Sequence, residues 1–160
     1  MEALYKNFFR KKNNANPVLK ALEEVPIFEN LLKKELKNIA HLTHEREYKS
    51  NEYVFKKHAP AEGMYVILDG KIEIRDPTSR NIFANLNSGD FFGELALLDE
   101  KPRSASAICS EPSRLIGFFR TDLLTLIKRY PELGNKILLN LSRVLGERLR
   151  ETNKNIIELN

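Results

Sequence analysis

Twelve consecutive residues carry the side chains best suited to chemistry in this chain: Gly93-Glu94-Leu95-Ala96-Leu97-Leu98-Asp99-Glu100-Lys101-Pro102-Arg103-Ser104. With Gly89-Asp90-Phe91-Phe92 before them, they read as a strand, a glycine, one helical turn and a short acidic loop. Pro-Arg-Ser then opens the next strand. Three features favour an anion. A short helix exposes free N–H groups at its start, and Gly93 leaves room for close backbone approach. Arg103 offers a planar fork that suits two phosphate oxygens, with the Ser104 hydroxyl beside it. Glu94 is the odd member, because a carboxylate repels phosphate. A ligand that also carries a hydroxyl able to donate to Glu94 resolves the conflict, as a sugar phosphate or nucleotide does. Arg103 then serves the phosphate and Glu94 the ribose. The residues alone leave open a simpler arrangement, in which Glu94 and Arg103 pair with each other or lie apart on the surface.

Other chemistry finds little support. His41, His44 and His58 form neither a His-x-His nor a His-Glu-x-x-His pattern, so no metal site and no cofactor are expected. Cys109 lies in an alternating apolar stretch and reads as a small core residue. Gly-x-Ser-x-Gly, Cys-x-x-Cys and a phosphate-cradling glycine loop before a long helix are all missing from the sequence. The chain therefore reads as a binder, not an enzyme.

The elements that must position these residues follow from pattern. At 160 residues with 42% apolar content, the chain is long and apolar enough for one globular domain without disulfides. Asn16-Pro17 reads as a helix cap followed by proline at the first helical position, with Val18, Leu19 and Leu22 on one face. A second helix places Leu32, Leu36, Ile39 and Ala40 on one side and Lys33, Lys34 and Lys37 on the other. From Glu45 to Phe119 the period becomes that of strands. Met64–Leu68 and Lys71–Arg75 flank Asp69-Gly70, a two-residue hairpin signal. Further short strands are expected at Glu47–Tyr48, Tyr53–Phe55, Ile82–Leu86, Ser104–Cys109 and Leu115–Phe119. This spacing predicts a small antiparallel barrel or jelly roll. Thr121 is expected to cap a short helix that Tyr130-Pro131 interrupts. A last helix begins near Glu132, and its apolar positions Leu138, Leu141, Leu145, Leu149, Thr152 and Ile156 advance by 3.6 residues on average. That stripe must cover either the barrel or a second copy of itself.

Charge and cysteine usage narrow the setting. The 26 basic and 22 acidic residues leave a formal net charge of +4. Lys6, Arg10, Lys11, Lys12 and Lys20 against Glu2 account for all of it, within the first 20 residues. A duplex-binding domain would spread positive charge over a folded face, so nucleic acid is a poor candidate. The basic arm, residues 1–16, has apolar residues at helical spacing and suits an acidic partner, a membrane surface or packing on its own domain. A single cysteine points to a reducing, cytoplasmic compartment. No apolar run approaches the ~20 residues of a membrane span.

Phe-Gly-Glu-Leu-Ala-Leu-Leu at 92–98 followed by Pro-Arg-Ser-Ala at 102–105 resembles the phosphate-binding cassette of the cyclic nucleotide-binding domain family. That family includes the catabolite activator protein, the regulatory subunits of cyclic-AMP-dependent kinase and cyclic-nucleotide-gated channels. The resemblance runs from Val25-Pro26-Ile27-Phe28 through Met64–Gly70 to the closing helices. It implies a β-barrel over 45–119 with a helical entrance at 17–44 and lid helices at 121–160. It further implies that Glu94 accepts the ribose 2′-hydroxyl and Arg103 holds the cyclic phosphate. Gly93 and the N–H groups of Leu95 and Ala96 would complete the cradle, with Ser104 adding a contact. Phe83 and Leu86 are candidate pocket walls, and Arg143 or Arg148 a candidate base cap. Two departures stand out: Asp99-Glu100-Lys101 lacks the glycine often found before Pro-Arg, and Ser50-Asn51-Glu52 replaces a Gly-Glu turn. The implied ligand is cyclic AMP, with cyclic GMP as the alternative. The implied action is a sensor whose hinge lies near Phe118–Leu124 and whose lid spans Leu133–Leu149. About 40 residues follow the last strand and the helices consume them, so no DNA-binding domain is expected in this chain. Output would pass to a protein effector or through self-association along the last helix. The competing expectation is a degenerate barrel that serves as an interaction or dimerisation scaffold without ligand.

Overall fold

The computed structural model describes residues 16–79 and 81–159; the amphipathic reading of the basic arm falls almost wholly outside them. Helix α1 (Pro17–Glu24) starts as the sequence suggests, with the Asn16 side chain accepting from the Val18 N–H at 3.0 Å and Pro17 in the first turn. A 3-10 turn (Pro26–Phe28) leads to α2 (Lys33–Leu42). Leu32, expected on the buried face of α2, is its N-cap residue and is 54% exposed. Its backbone is still extended, so its side chain falls outside the helical period. Glu35 reaches back to accept from the Leu32 N–H at 2.8 Å.

Eight strands follow: β1 (His44–Tyr48), β2 (Tyr53–Phe55), β3 (Gly63–Asp69), β4 (Lys71–Arg75), β5 (Ile82–Asn87), β6 (Phe91–Phe92), β7 (Ser106–Cys109) and β8 (Ser113–Phe119). They form two four-stranded antiparallel sheets, ordered β1-β8-β3-β6 and β2-β7-β4-β5. A one-turn 3-10 helix (Glu94–Leu97) lies between β6 and β7, and α3 (Arg120–Arg129) and α4 (Pro131–Glu158) close the chain. The jelly-roll reading of the sequence is the observed architecture. Asp69-Gly70 is not a hairpin, however, because β3 and β4 belong to different sheets. The turn is a corner that carries the chain from one sheet to the other. Gly70 has φ +99°, and a Cβ there would sit 2.2 Å from the Ser113 Oγ. A corner needs positive φ as much as a hairpin does. Asn51 likewise takes φ +64°, so it fills the position of the missing glycine in the Ser50-Asn51-Glu52 turn, a role asparagine tolerates. Thr121 does not cap α3: Phe119 is the N-cap residue, without a side-chain cap.

Strand β3 is covered on both faces. Met64 and Val66 point to a core shared with Phe28, Ile39, Phe118 and the buried side of α3 and α4. Ile67 points to a second core between the sheets, with Ile72, Phe92, Cys109 and Leu115. Phe28 meets Phe118 edge-on at 5.7 Å between ring centroids. Helix α4 packs its first half on the first core through Leu133, Ile137, Leu141 and Val144. From residue 147 onward it is exposed on every side.

One buried polar side chain ties α4 to the start of the domain. The Asn140 amide donates to the carbonyls of Ile27 (3.2 Å) and Glu29 (2.9 Å), while its Oδ1 accepts from Arg143. Replacing it strands these groups away from water. Asn140→Ala is expected to cost about 1–3 kcal/mol, seen as a lower urea midpoint with an unchanged slope.

Candidate functional site

The anion-favouring segment follows β6 of the first sheet, packs its 3-10 turn on β3 and is tied to α4 through Glu94. Arg103, 7% exposed, is fixed through both backbone and side chain. Its N–H donates to the Ala59 carbonyl and its own carbonyl accepts from the His58 N–H. The guanidinium donates through Nη2 to the Gly63 carbonyl at 2.6 Å and through Nη1 to the Gly93 carbonyl at 3.2 Å. Its Cζ lies 4.0 Å from the centre of the Phe55 ring. The Nε–H is buried without a hydrogen-bond partner, and no carboxylate of the described residues lies within 4 Å of the group. Burial therefore holds the guanidinium below its ordinary pKa, and an incoming anion would relieve that cost.

Gly93 makes this geometry reachable. It has φ +77°, and a Cβ would come within 2.8 Å of Arg103 Nη1 and 3.3 Å of the Gly63 carbonyl. Glu94 follows and is 5% exposed. Its Oε1 accepts from Nη1 of Arg148, which rises from α4. Arg148 also donates to the Phe91 carbonyl at 3.4 Å and lies over the Phe91 ring. Glu94 and Arg103 thus neither pair with each other nor lie on the open surface.

Gly93, Glu94, Leu95, Ala96, Arg103 and Ser104 all line one cavity of about 640 Å³. Its volume falls in the range of small-molecule sites. Ile74, Ala84 and Leu86 form an apolar wall, and Phe55 and Phe92 add aromatic surface. Arg148, Thr152 and Asn155 of α4 border it opposite. Leu86 takes its expected place, whereas Phe83 does not line the cavity and is 59% exposed. The two differ by an odd number along β5, so strand alternation turns them to opposite faces. Arg143 is likewise absent from the lining and is committed to Asn140. The Ala96 N–H, expected in the cradle, donates to the Gly93 carbonyl at 3.2 Å. Phe55 and Gly63 were not expected at the site; each lies 40 or more residues before Arg103, with no local signal to join them. The described residues hold no group of His, Cys, Asp or Glu able to bind a metal ion, and no helix among them is long and apolar enough to cross a membrane.

A desolvated guanidinium, a buried carboxylate and apolar side chains lining one cavity suit an anionic, hydroxyl-bearing ligand with a flat apolar portion. Comparison with known proteins agrees. The cyclic nucleotide-binding domain matches residues 45–130, more than half of the chain, and the chain belongs to that family. The cyclic AMP receptor protein of Thermus thermophilus is 33% identical over 129 residues, covering 79% of this chain and 58% of that protein. A cGMP-dependent protein kinase of Drosophila melanogaster is 32% identical over 92 residues, covering 55% of this chain and 10% of the kinase. The crystal structure of a cyclic nucleotide-binding domain from Methylobacillus flagellatus superimposes with a TM-score of 0.76 at 25% identity, covering 90% of this chain and 83% of that one. The chain spans less than two thirds of either curated relative's length.

Gly93→Ala forces a side chain into positive φ and into the Arg103 guanidinium. It is expected to destabilise the domain by about 1–3 kcal/mol in urea titration, with Leu95→Ala, which is exposed, close to neutral.

Proposed function

We propose that this chain binds a cyclic nucleotide, cyclic AMP in preference to cyclic GMP, and works as a regulatory sensor with no catalytic step. The observation that carries the reading is the buried, carboxylate-free guanidinium of Arg103, with its unpartnered Nε–H, on the wall of the cavity that Glu94 also lines. Arg103 holds the cyclic phosphate, with Gly93, Leu95, Ala96 and Ser104 around it. Glu94 accepts the ribose 2′-hydroxyl, and the base lies against Leu86 and Ile74 toward α4. Cyclic AMP is favoured because the relative named for it matches a longer stretch of this chain than the one named for cyclic GMP. Residues 17–160 act as one binding unit and 1–16 as an arm. The cytoplasm suits its single buried cysteine.

The Arg148–Glu94 pair gives the ligand a means of acting on the lid. A ribose hydroxyl on Glu94 competes with Arg148 for the same carboxylate, so occupied and empty states hold α4 differently. Only such a difference lets a ligand shift the equilibrium between them. Output passes through the second half of α4. There Leu145, Leu149, Thr152 and Ile156 step by four, three and four, the 3.5-residue repeat of a two-helix coil. Leu149 is 62% exposed on this seam. A second copy of the chain is the occupant that repeat fits.

Two measurements test these statements. In calorimetric titration of refolded protein, cyclic AMP is expected to bind at micromolar Kd or tighter. Arg103→Ala should cost about 3 kcal/mol, roughly a hundredfold in Kd. Glu94→Gln should weaken binding while leaving the melting temperature near wild type. Absence of binding by folded wild-type protein would favour the scaffold alternative. In sedimentation velocity, wild type is expected to run as a dimer and Leu149→Glu as a monomer; a wild-type monomer would overturn the seam.

A further inference from the structure

Arg120, the first residue of α3, lines no part of the cavity, yet its side chain is only 17% exposed. Its Nη1 lies 3.0 Å from the Ala61 carbonyl, 3.0 Å from the Ala96 carbonyl and 2.8 Å from the Asp99 carbonyl. Two hydrogens serve three oxygens, so these contacts are shared. Nη2 reaches the Glu100 carboxylate at 3.2 Å, but that side chain is 86% exposed and such a pair contributes little. The carbonyls are what hold this side chain.

The arrangement repeats that of Arg103. Three consecutive carbonyls before and at the start of β3 are each taken by an arginine. Ala61 accepts from the Arg120 side chain, Glu62 from the Arg120 N–H at 2.8 Å, and Gly63 from Arg103. Across the gap, the Gly93 carbonyl accepts from Arg103, and those of Ala96 and Asp99 from Arg120. Two guanidiniums therefore bridge the same two backbone segments, 61–63 and 93–99. One faces the cavity, and the other belongs to the root of the C-terminal helices.

We propose that Arg120 is a positioning residue for the anion site and the link from that site to α3 and α4. An anion that draws on the donors of Arg103 weakens its hold on Gly63 and Gly93, and the spacing of the two segments changes. Arg120 spans the same segments and must follow. Its Cα is the first of α3, so the shift is delivered to the helices. Only the identity of the anion rests on the cyclic nucleotide reading.

Amide hydrogen exchange on wild type, Arg120→Gln, Arg120→Lys and the control Glu100→Gln, with and without saturating cyclic AMP, tests this. Without ligand, Arg120→Gln is expected to speed exchange about tenfold in both 94–99 and 121–129, while the β3 and β8 amides and the Glu100→Gln protein keep wild-type rates. Arg120→Lys, whose ammonium lacks the fork, should fall between. With ligand, wild type should slow in 94–99 and in α4. The Arg120 variants should still bind within about tenfold of the wild-type Kd, yet slow in 94–99 alone. Ligand-free rates at 94–99 unchanged in both variants, or a full response of α4 in them, would overturn the proposal. Failure of wild type to bind cyclic AMP would overturn the nucleotide reading instead, and the ligand-free comparison would still decide the role of Arg120.

Discussion

A buried positive charge that no carboxylate of the described residues approaches within 4 Å is the constraint around which the site is organised. The Arg103 guanidinium is taken out of water at a cost that its two carbonyl contacts and the face of Phe55 offset only in part. To hold it there, the chain spends a glycine at 93, a close strand start at Gly63 and an aromatic ring from a distant strand. A carbonyl carries only a partial charge, so the group remains receptive to a full one. The nearby carboxylate, Glu94, is engaged by Arg148 from the lid helix.

The pairing of Glu94 with Arg148 in place of Arg103 ties the cassette to the last helix. Arg103 is anchored to loops of the barrel through its backbone and side chain alike. Arg148 stands on a helix stretch that is exposed on every side and reaches the cavity only through its tip. Both side chains belong to a chain of the cyclic nucleotide-binding domain family.

The cassette was legible in the sequence because Gly93, Glu94, Arg103 and Ser104 lie within twelve residues and their chemistry is local. The jelly roll was legible because strand period and turn residues recur at short intervals. What escaped reading depended on contacts between distant segments. Phe55 and Gly63 join Arg103 only once β2 pairs with β7 and β3 with β6, and nothing near them in the chain announces it. Asp69-Gly70 misled because positive φ serves a hairpin and a sheet-to-sheet corner equally well. Phe83 misled for a plainer reason: it was set beside Leu86 despite the opposite parity along one strand. Arg120 carried no signal at all, since an arginine opening a helix after a strand is unremarkable until three carbonyls converge on it.

Strand β3 has a further consequence. Its alternate side chains are sunk into two different cores, one beneath the helices and one between the sheets. Sliding it by a single residue would put each set into the core that fits the other, so its register is strongly specified. Gly63, which receives Arg103, is the first residue of that strand. The carbonyl that accepts from Arg103 is thus set by a strand pinned between two cores, so the position of the guanidinium is inherited from the packing of the whole domain.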